Sequence, residues 1–433
     1  MSAQRFWLEG ARAPASVLGG AAPAANAEGL ATFDLLVDAG KIAALGAGLA
    51  AQDLESPRLA LGGAIVLPGF VDAHTHLDKG HTWPRAENVR RNFDDALASV
   101  KDDRERHWSA ADVAARMEFA LQCAYAHGTV ALRTHIDSLG KQTGISWPLF
   151  AEARARWAGR IALQASPLFG IDALAVPGHL ADIERNVEAH GSGVLGAVTF
   201  MVPELRASLD ALFKLAMRKG WDLDFHADET NDPNEQTLVA IAETALRLRF
   251  EGKTLVGHCC SLTRQDPETR KRVIGKVAQA RISVVSLPMC NMFLQDRGAG
   301  RTPEWRGITA LHEFRSAGVN ALIASDNTRD PFYAYGDLDM LEIWREGVRI
   351  GHLDAPFNEW APSVFSRPAA AMGIDAGVLK VGAPADLIVT KARNHTELFS
   401  RPHNDRRVMR GGAFIDAKPP DYAMLDGLEG LRP

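Results

Sequence analysis

An alternation recurs through the middle of this 433-residue chain and leaves few folds open to it. Short runs rich in Val, Ile and Leu return at intervals, separated by longer stretches whose apolar residues fall at helical spacing. The runs are Val66–His76, Thr129–His135, Arg160–Ala165, Val194–Thr199, Asp222–His226, Thr254–His258, Ile282–Ser286 and Val319–Asp326. Ala111–Ala126 and Leu205–Lys219 are typical of the amphipathic stretches between them. A strand followed by a helix reaches the next strand only by crossing over, which makes neighbouring strands parallel. Eight such units over roughly 300 residues predict an α/β chain closed into a (β/α)8 TIM-type barrel, with all strand ends opening on one face.

Short β pieces flank that middle. Phe33–Asp38 and Lys41–Leu45 lie either side of an Ala39-Gly40 turn, and Ala385–Thr390 and Arg407–Ile415 return at the far end. Their placement predicts that the two termini pair into one small β-sandwich domain, residues 1–67 with 378–433, beside a catalytic barrel over 68–377. The segment Lys79–Trp108 is charged and longer than most strand-to-helix connections, which suits a lid.

Composition narrows the partners. A formal net charge of -5, with no basic run, excludes an electrostatic grip on nucleic acid. No apolar stretch is long enough to span a membrane. The Ala-rich start lacks the basic opening and unbroken apolar core of a signal peptide. The four cysteines, Cys123, Cys259, Cys260 and Cys290, form no C-x-x-C pair, so a reduced, cytoplasmic protein is expected.

Polar residues gather where the strands end. His74 and His76 sit two apart, so an extended backbone points both imidazoles the same way. His226 ends the fifth run with Glu229 three residues on, His258 ends the sixth, and Asp326 ends the eighth. Each alone has an ordinary reading: H-x-H pairs are mostly incidental, and a single Asp near a turn is usually a cap. Together they offer the N and O donors that Zn²⁺ or Fe²⁺ prefer, at ends that a barrel would bring together.

These segments carry a resemblance. Pro68-Gly69-Phe70-Val71-Asp72-Ala73-His74-Thr75-His76 resembles the signature of the amidohydrolase superfamily. Leu132–Asp137, His226-Ala227-Asp228-Glu229, Gly257-His258, Asn291–Arg297, Arg306–Thr309 and Ser325–Phe332 are similar to its cytosine deaminase branch. The resemblance runs in order from about residue 60 to residue 395. It implies that His74, His76, His226 and Asp326 hold one divalent metal, Zn²⁺ or Fe²⁺. Glu229 would shuttle protons and His258 would orient the attacking water, with Asp326 also accepting its proton. His135 would support the site from the second strand without binding metal. Binuclear members carry a lysine at the end of strand four; Gly196–Glu204 has none, which implies a single ion. The reaction implied is hydrolytic release of ammonia from an amino-substituted N-heterocycle, by a protein compatible with homo-oligomeric assembly.

The match departs from the branch in its substrate contacts. The glutamine with which cytosine deaminases read their substrate aligns with Leu168, a family tryptophan is replaced by Phe332, and the second Asp after the metal ligand is Asn327. Losing a hydrogen-bonding group from a ring edge changes specificity strongly, so cytosine itself is not expected. In the lid segment, Trp83 is a candidate stacking platform, and Lys79 and Arg85 are candidate donors or solvent-facing charges. A pterin is the bicyclic alternative. A cyclic amide hydrolase is disfavoured by the missing lysine and by Glu229 with His258, and a non-catalytic relic by the presence of all six site residues. Trp147, Trp157 and Trp221 read as packing residues, and His107, His127, His312, His352, His395 and His403 as surface or capping ones.

Overall fold

Each apolar run of the middle becomes a strand with parallel neighbours in a computed structural model that describes residues 5–88 and 92–430. Phe70–Thr75, Thr129–Asp137 and Ala162–Leu168 form one parallel sheet. Val194–Val198, Asp222–Ala227, Thr254–His258, Ser283–Ser286 and Ala321–Ile323 form a second. The two meet at both edges. Asp326 N donates to His74 O at 2.8 Å, and Val198 N donates to Phe169 O at 2.8 Å, in parallel bridges. Helices such as Ala110–His127 and Leu205–Lys219 cover the strands. The first begins at Ser109, whose hydroxyl accepts from Asp112 N, and ends where Gly128 turns left-handed at φ 101°.

The expected Val66–His76 strand is two strands. Val66–Pro68 pairs antiparallel with Leu387–Val389 in a terminal sheet, whereas Phe70–Thr75 enters the parallel one. Gly69 is the crossing point: its N–H donates to Asp386 O at 3.0 Å, and a Cβ there would lie 2.2 Å from Val130 Cγ1. Pro68 cannot donate to a ladder and Gly69 admits a close neighbour, so Pro68-Gly69 is where the chain changes sheet.

The terminal β pieces form two four-stranded sheets. Lys41–Gly46, Leu30–Asp38, Phe6–Pro14 and Arg58–Ala60 make the first, in that spatial order. Ala413–Phe414, Arg407–Arg410, Leu387–Val389 and Val66–Pro68 make the second. They touch through isolated bridges, Lys41 with Pro384 and Leu18 with Leu379, because turns at Gly411-Gly412 and Ala39-Gly40 close each ladder on itself. Among the described residues, no helix is long and apolar enough to cross a membrane. All four cysteines are free and buried.

Alternation gives the middle strands two different faces. Val71, Ala73, Ala131, Leu255, Val285 and Leu322 join one apolar cluster with the Ser366–Met372 helix. Towards the strand ends come buried polar pairs two residues apart, each sharing one face of its strand: Asp72 and His74, Arg133 and His135, Asp224 and His226. The space there is tight. A Cβ on Gly196 would lie 1.7 Å from Asp224 O on the adjacent strand. Gly196→Ala is therefore expected to cost at least about 3 kcal/mol or to prevent folding. Gly144→Ala, in open space at a helix start, should stay within about 1 kcal/mol of the parent. Denaturation midpoints check this, and equal midpoints for the two variants would contradict it.

Candidate metal centre and active site

The polar pairs stack into two levels. In the lower level Arg133 Nη1 donates to Asp224 Oδ2 at 2.9 Å and Arg133 Nη2 to Gln164 Oε1 at 2.7 Å. Asp72 accepts from Ser325 Oγ at 2.5 Å. The upper level is imidazole. The His74 ring centroid lies 4.1 Å from that of His135, 4.5 Å from His226 and 5.5 Å from His76. His135 is held from below by Asp224 Oδ1, 3.2 Å from its Nε2.

Strand-end turns bring in the remaining groups. Asp228, His258 and Asp326 all have left-handed backbones, at φ 53°, 68° and 67°, a conformation costly to side-chain-bearing residues. Asp326 is thereby placed with Oδ1 3.1 Å from His76 Nε2 and 3.5 Å from His74 Nε2. His258 Nδ1 lies 2.9 Å from Asn291 Nδ2 and 3.2 Å from Glu229 Oε1, so two residues fix its ring. Gly257 lies against His74; a Cβ there would be 2.8 Å from His74 Cε1.

Donor chemistry and unmet hydrogen bonds both fit a cation. His74, His76, His135 and His226 offer ring nitrogens within 4.8 Å of one another, and so do His74, His258 and Asp326 with its carboxylate. Both ring nitrogens of His74, Nε2 of His226 and of His258, and Oδ2 of Asp326 are buried without a hydrogen-bond partner. A buried polar atom left unpaired costs about 1–3 kcal/mol, and here several converge on one space. Burial, reinforced by the neighbouring imidazoles, holds His226 well below the ordinary histidine range. Burial likewise pushes His258 down to about 3, against the opposing pull of Asp326. Neutral imidazole is the form that ligates metal. Burial, then the nearby Asp326 charge, pushes the Glu229 carboxyl well above its usual range, which favours a protonated acid.

A cavity of about 310 Å³ opens beside this cluster and is lined by His76, His226, Glu229 and His258. A second of about 390 Å³ adjoins it, sharing Phe93, Val198, Phe200, His226 and Glu229. Leu168, Asn327 and Phe332 line the first; Trp83 does not. Trp83 is half-buried, and its backbone N–H donates to Arg329 O at 2.8 Å. Arg85 turns away to Asp103 and Asp112, each at 2.7 Å. Helix Phe93–His107, from the long segment after the first strand, covers the cavity with Phe93, Leu97, Val100 and Arg104. Trp147 and Trp157 are fully buried in the main core, and Trp221 packs partly buried against it.

Sequence reasoning missed the Arg133–Asp224–Gln164 level, the Asn291 contact and the ion pair of Lys79 with Asp137. The first was within reach, since Arg133 and Asp224 each stand two residues before a site histidine. The other two depend on side chains far apart in sequence, and spacing carries no sign of them.

Unpartnered imidazoles and one carboxylate at the ends of parallel strands are the equipment of a metal-dependent hydrolase. The sequence model of the amidohydrolase family matches residues 150–415, and the chain belongs to that family. It is 50% identical over 432 residues to a pterin deaminase of Rhizobium rhizogenes (strain K84), covering 99% of this chain and 98% of that protein. It is 26% identical to an N-isopropylammelide isopropyl amidohydrolase of Pseudomonas sp. (strain ADP), over 76% of this chain and 80% of that one. The crystal structure of 5-methylcytosine deaminase from Klebsiella pneumoniae liganded with 5-fluorocytosine superposes with a TM-score of 0.80. That match covers 96% of this chain and 98% of the other, and at 23% identity it speaks for the fold alone.

The Gly257 contact makes the ligand geometry testable. Gly257→Ala is expected to displace His74 and lower metal content at least about tenfold at limiting metal, the scale of losses when ligand support is removed. Gly275→Ala, where a Cβ meets nothing, serves as the control. Elemental analysis after metal loading reads the outcome; equal occupancy in the two variants would contradict the placement of His74.

Proposed function

We propose that this protein is a metal-dependent hydrolytic deaminase that removes the exocyclic amino group of a pterin-like bicyclic heterocycle. Architecture supports the reading. We read the eight parallel strands, bridged at both seams, as a closed (β/α)8 barrel over residues 68–377, and the terminal sheets as a β-sandwich of 1–67 and 378–433. His74, His76, His226 and Asp326 would hold one Zn²⁺ or Fe²⁺, and Thr199 at the fourth strand end offers no bridging lysine for a second ion. Four reduced, buried cysteines suit a cytoplasmic enzyme.

The observation that carries the proposal is Glu229 beside His258 at the rim of the ligand cluster, facing the cavity. A bound divalent ion supplies a nucleophile at neutral pH by lowering the pKa of water towards ~7. Glu229, kept protonated by burial, gives a proton to a ring nitrogen and so makes the amidine carbon electrophilic. The Glu229 carboxylate so formed takes up the proton that the attacking oxygen gives up and passes it to the departing amine, which leaves as ammonia. His258, fixed by Asn291 and Glu229, presents Nε2 to the developing tetrahedral centre.

The bicyclic substrate rests on the cavity and on the relatives. Leu168 places an aliphatic surface where a single-ring substrate would need an amide partner, and Phe332 adds an aromatic wall. The 50% identical relative is a pterin deaminase, which favours that class over cytosine. Glu229→Gln should retain metal while ammonia release from pterin falls roughly 10²–10⁴-fold, the usual contribution of a positioned acid–base group. Elemental analysis and an ammonia assay test it. Turnover near wild type in the variant, or cytosine as a better substrate than pterin, would contradict the proposal.

A further inference from the structure

Lys79 stands three residues after His76 and is 4% exposed, in the cavity that His76, His226, Glu229 and His258 share. Much of the surrounding wall is apolar, with Phe93, Leu168 and Phe169 among its members. Lys79 Nζ lies 3.3 Å from Asp137 Oδ1 and 5.3 Å from the centroid of the Phe332 ring. Asp137 uses its other oxygen to accept from Arg104 Nη1 at 2.8 Å, and Arg104 comes from the helix that covers the cavity. Burial opposes the ammonium charge, yet Asp137, Asp78 and Asp330 hold its pKa above the ordinary lysine value.

An ammonium has three N–H donors, and among the described residues Asp137 is the acceptor that Nζ contacts. A buried charge with spare donors in a largely apolar cavity calls for a further acceptor. The acidic surroundings disfavour an anionic partner there, since a second negative group would face Asp137, Asp78 and Asp330. A neutral carbonyl oxygen meets the requirement. An amino group in its place would set donor against donor.

We infer that Lys79 donates to a ring oxo group of the substrate and so restricts the site to heterocycles carrying a lactam beside the reacting amidine. This rests on the deaminase reading above and adds to it the feature by which the ring is recognised. Asp137 and Arg104 are positioning residues: they hold Lys79 and tie it to the covering helix. Losing Lys79 leaves Asp137 paired with Arg104, so the fold is expected to survive.

The test compares pterin with 2,4-diaminopteridine, which has an amino group where pterin has the oxo, on metal-loaded, full-length protein. Lys79→Met should lower kcat/KM for pterin roughly 10–100-fold, as expected for a lost charged hydrogen bond. Activity on 2,4-diaminopteridine, lower than on pterin in the wild type, should not fall and is expected to rise, because the substitution removes a donor facing a donor. Equal losses on both substrates, or unchanged activity on pterin, would overturn the inference. Should Lys79→Met not fold, Lys79→Gln carries the same test: the ratio of the two kcat/KM values should fall at least about fivefold, and an unchanged ratio overturns it. Binding of pterin to the Glu229→Gln protein, followed by pterin fluorescence, separates the two claims. Binding that depends on Lys79, with no ammonia released by the wild type, defeats the deaminase reading and supports Lys79. Ammonia released from pterin regardless of Lys79→Met defeats Lys79 and leaves the deaminase standing.

Discussion

Ring nitrogens of His74, His76, His135 and His226 gather at the strand ends, those of His74 and His258 gather there with an Asp326 carboxylate oxygen, and much of the molecule is arranged so that they can. Several ring nitrogens of these neutral imidazoles are buried without a hydrogen-bond partner, and an uncompensated buried carboxylate is costly. A cation held there would resolve both problems at once and would make metal affinity and the integrity of the strand ends parts of one free energy. The left-handed backbones at His258 and Asp326 follow from the same demand, since they turn those side chains into the cluster.

Beneath the imidazoles, the Arg133–Asp224–Gln164 level does structural work that a purely apolar interior could not. Asp224 accepts from both Arg133 and His135, fixing one ring while neutralising a buried guanidinium. Removing one partner of such a set leaves a buried charge, which is why it acts as a rigid base. Gly196 and Gly257 belong to this arrangement because a strand backbone or an imidazole occupies the place of their missing side chains. Positioning therefore comes from the strands, while Phe93–His107 and Lys79 shape the cavity above them.

Much of this was legible in the sequence because it depends on local period and order. Apolar runs gave the parallel strands, and residues two apart, such as His74 and His76, declared a shared face. Thr254–His258 begins and ends where its composition placed it. What escaped was set by tertiary contact. Pro68-Gly69 divides an apparently continuous apolar run because one half finds Leu387–Val389 and the other Thr129–Asp137. Trp83 looked like a platform from its place in the chain, yet its segment is pinned to Arg329 and stands outside the cavity wall. Lys79 could be read as solvent-facing until Asp137 and Arg104, both distant in sequence, came beside it.

The most direct measurement is a crystal structure of the metal-loaded protein with anomalous scattering recorded at the metal edge. A single peak bounded by His74, His76, His226 and Asp326, with Glu229 and His258 facing it across the cavity, is the predicted result. Two peaks, or one held without Asp326, would contradict the one-ion centre on which the account rests.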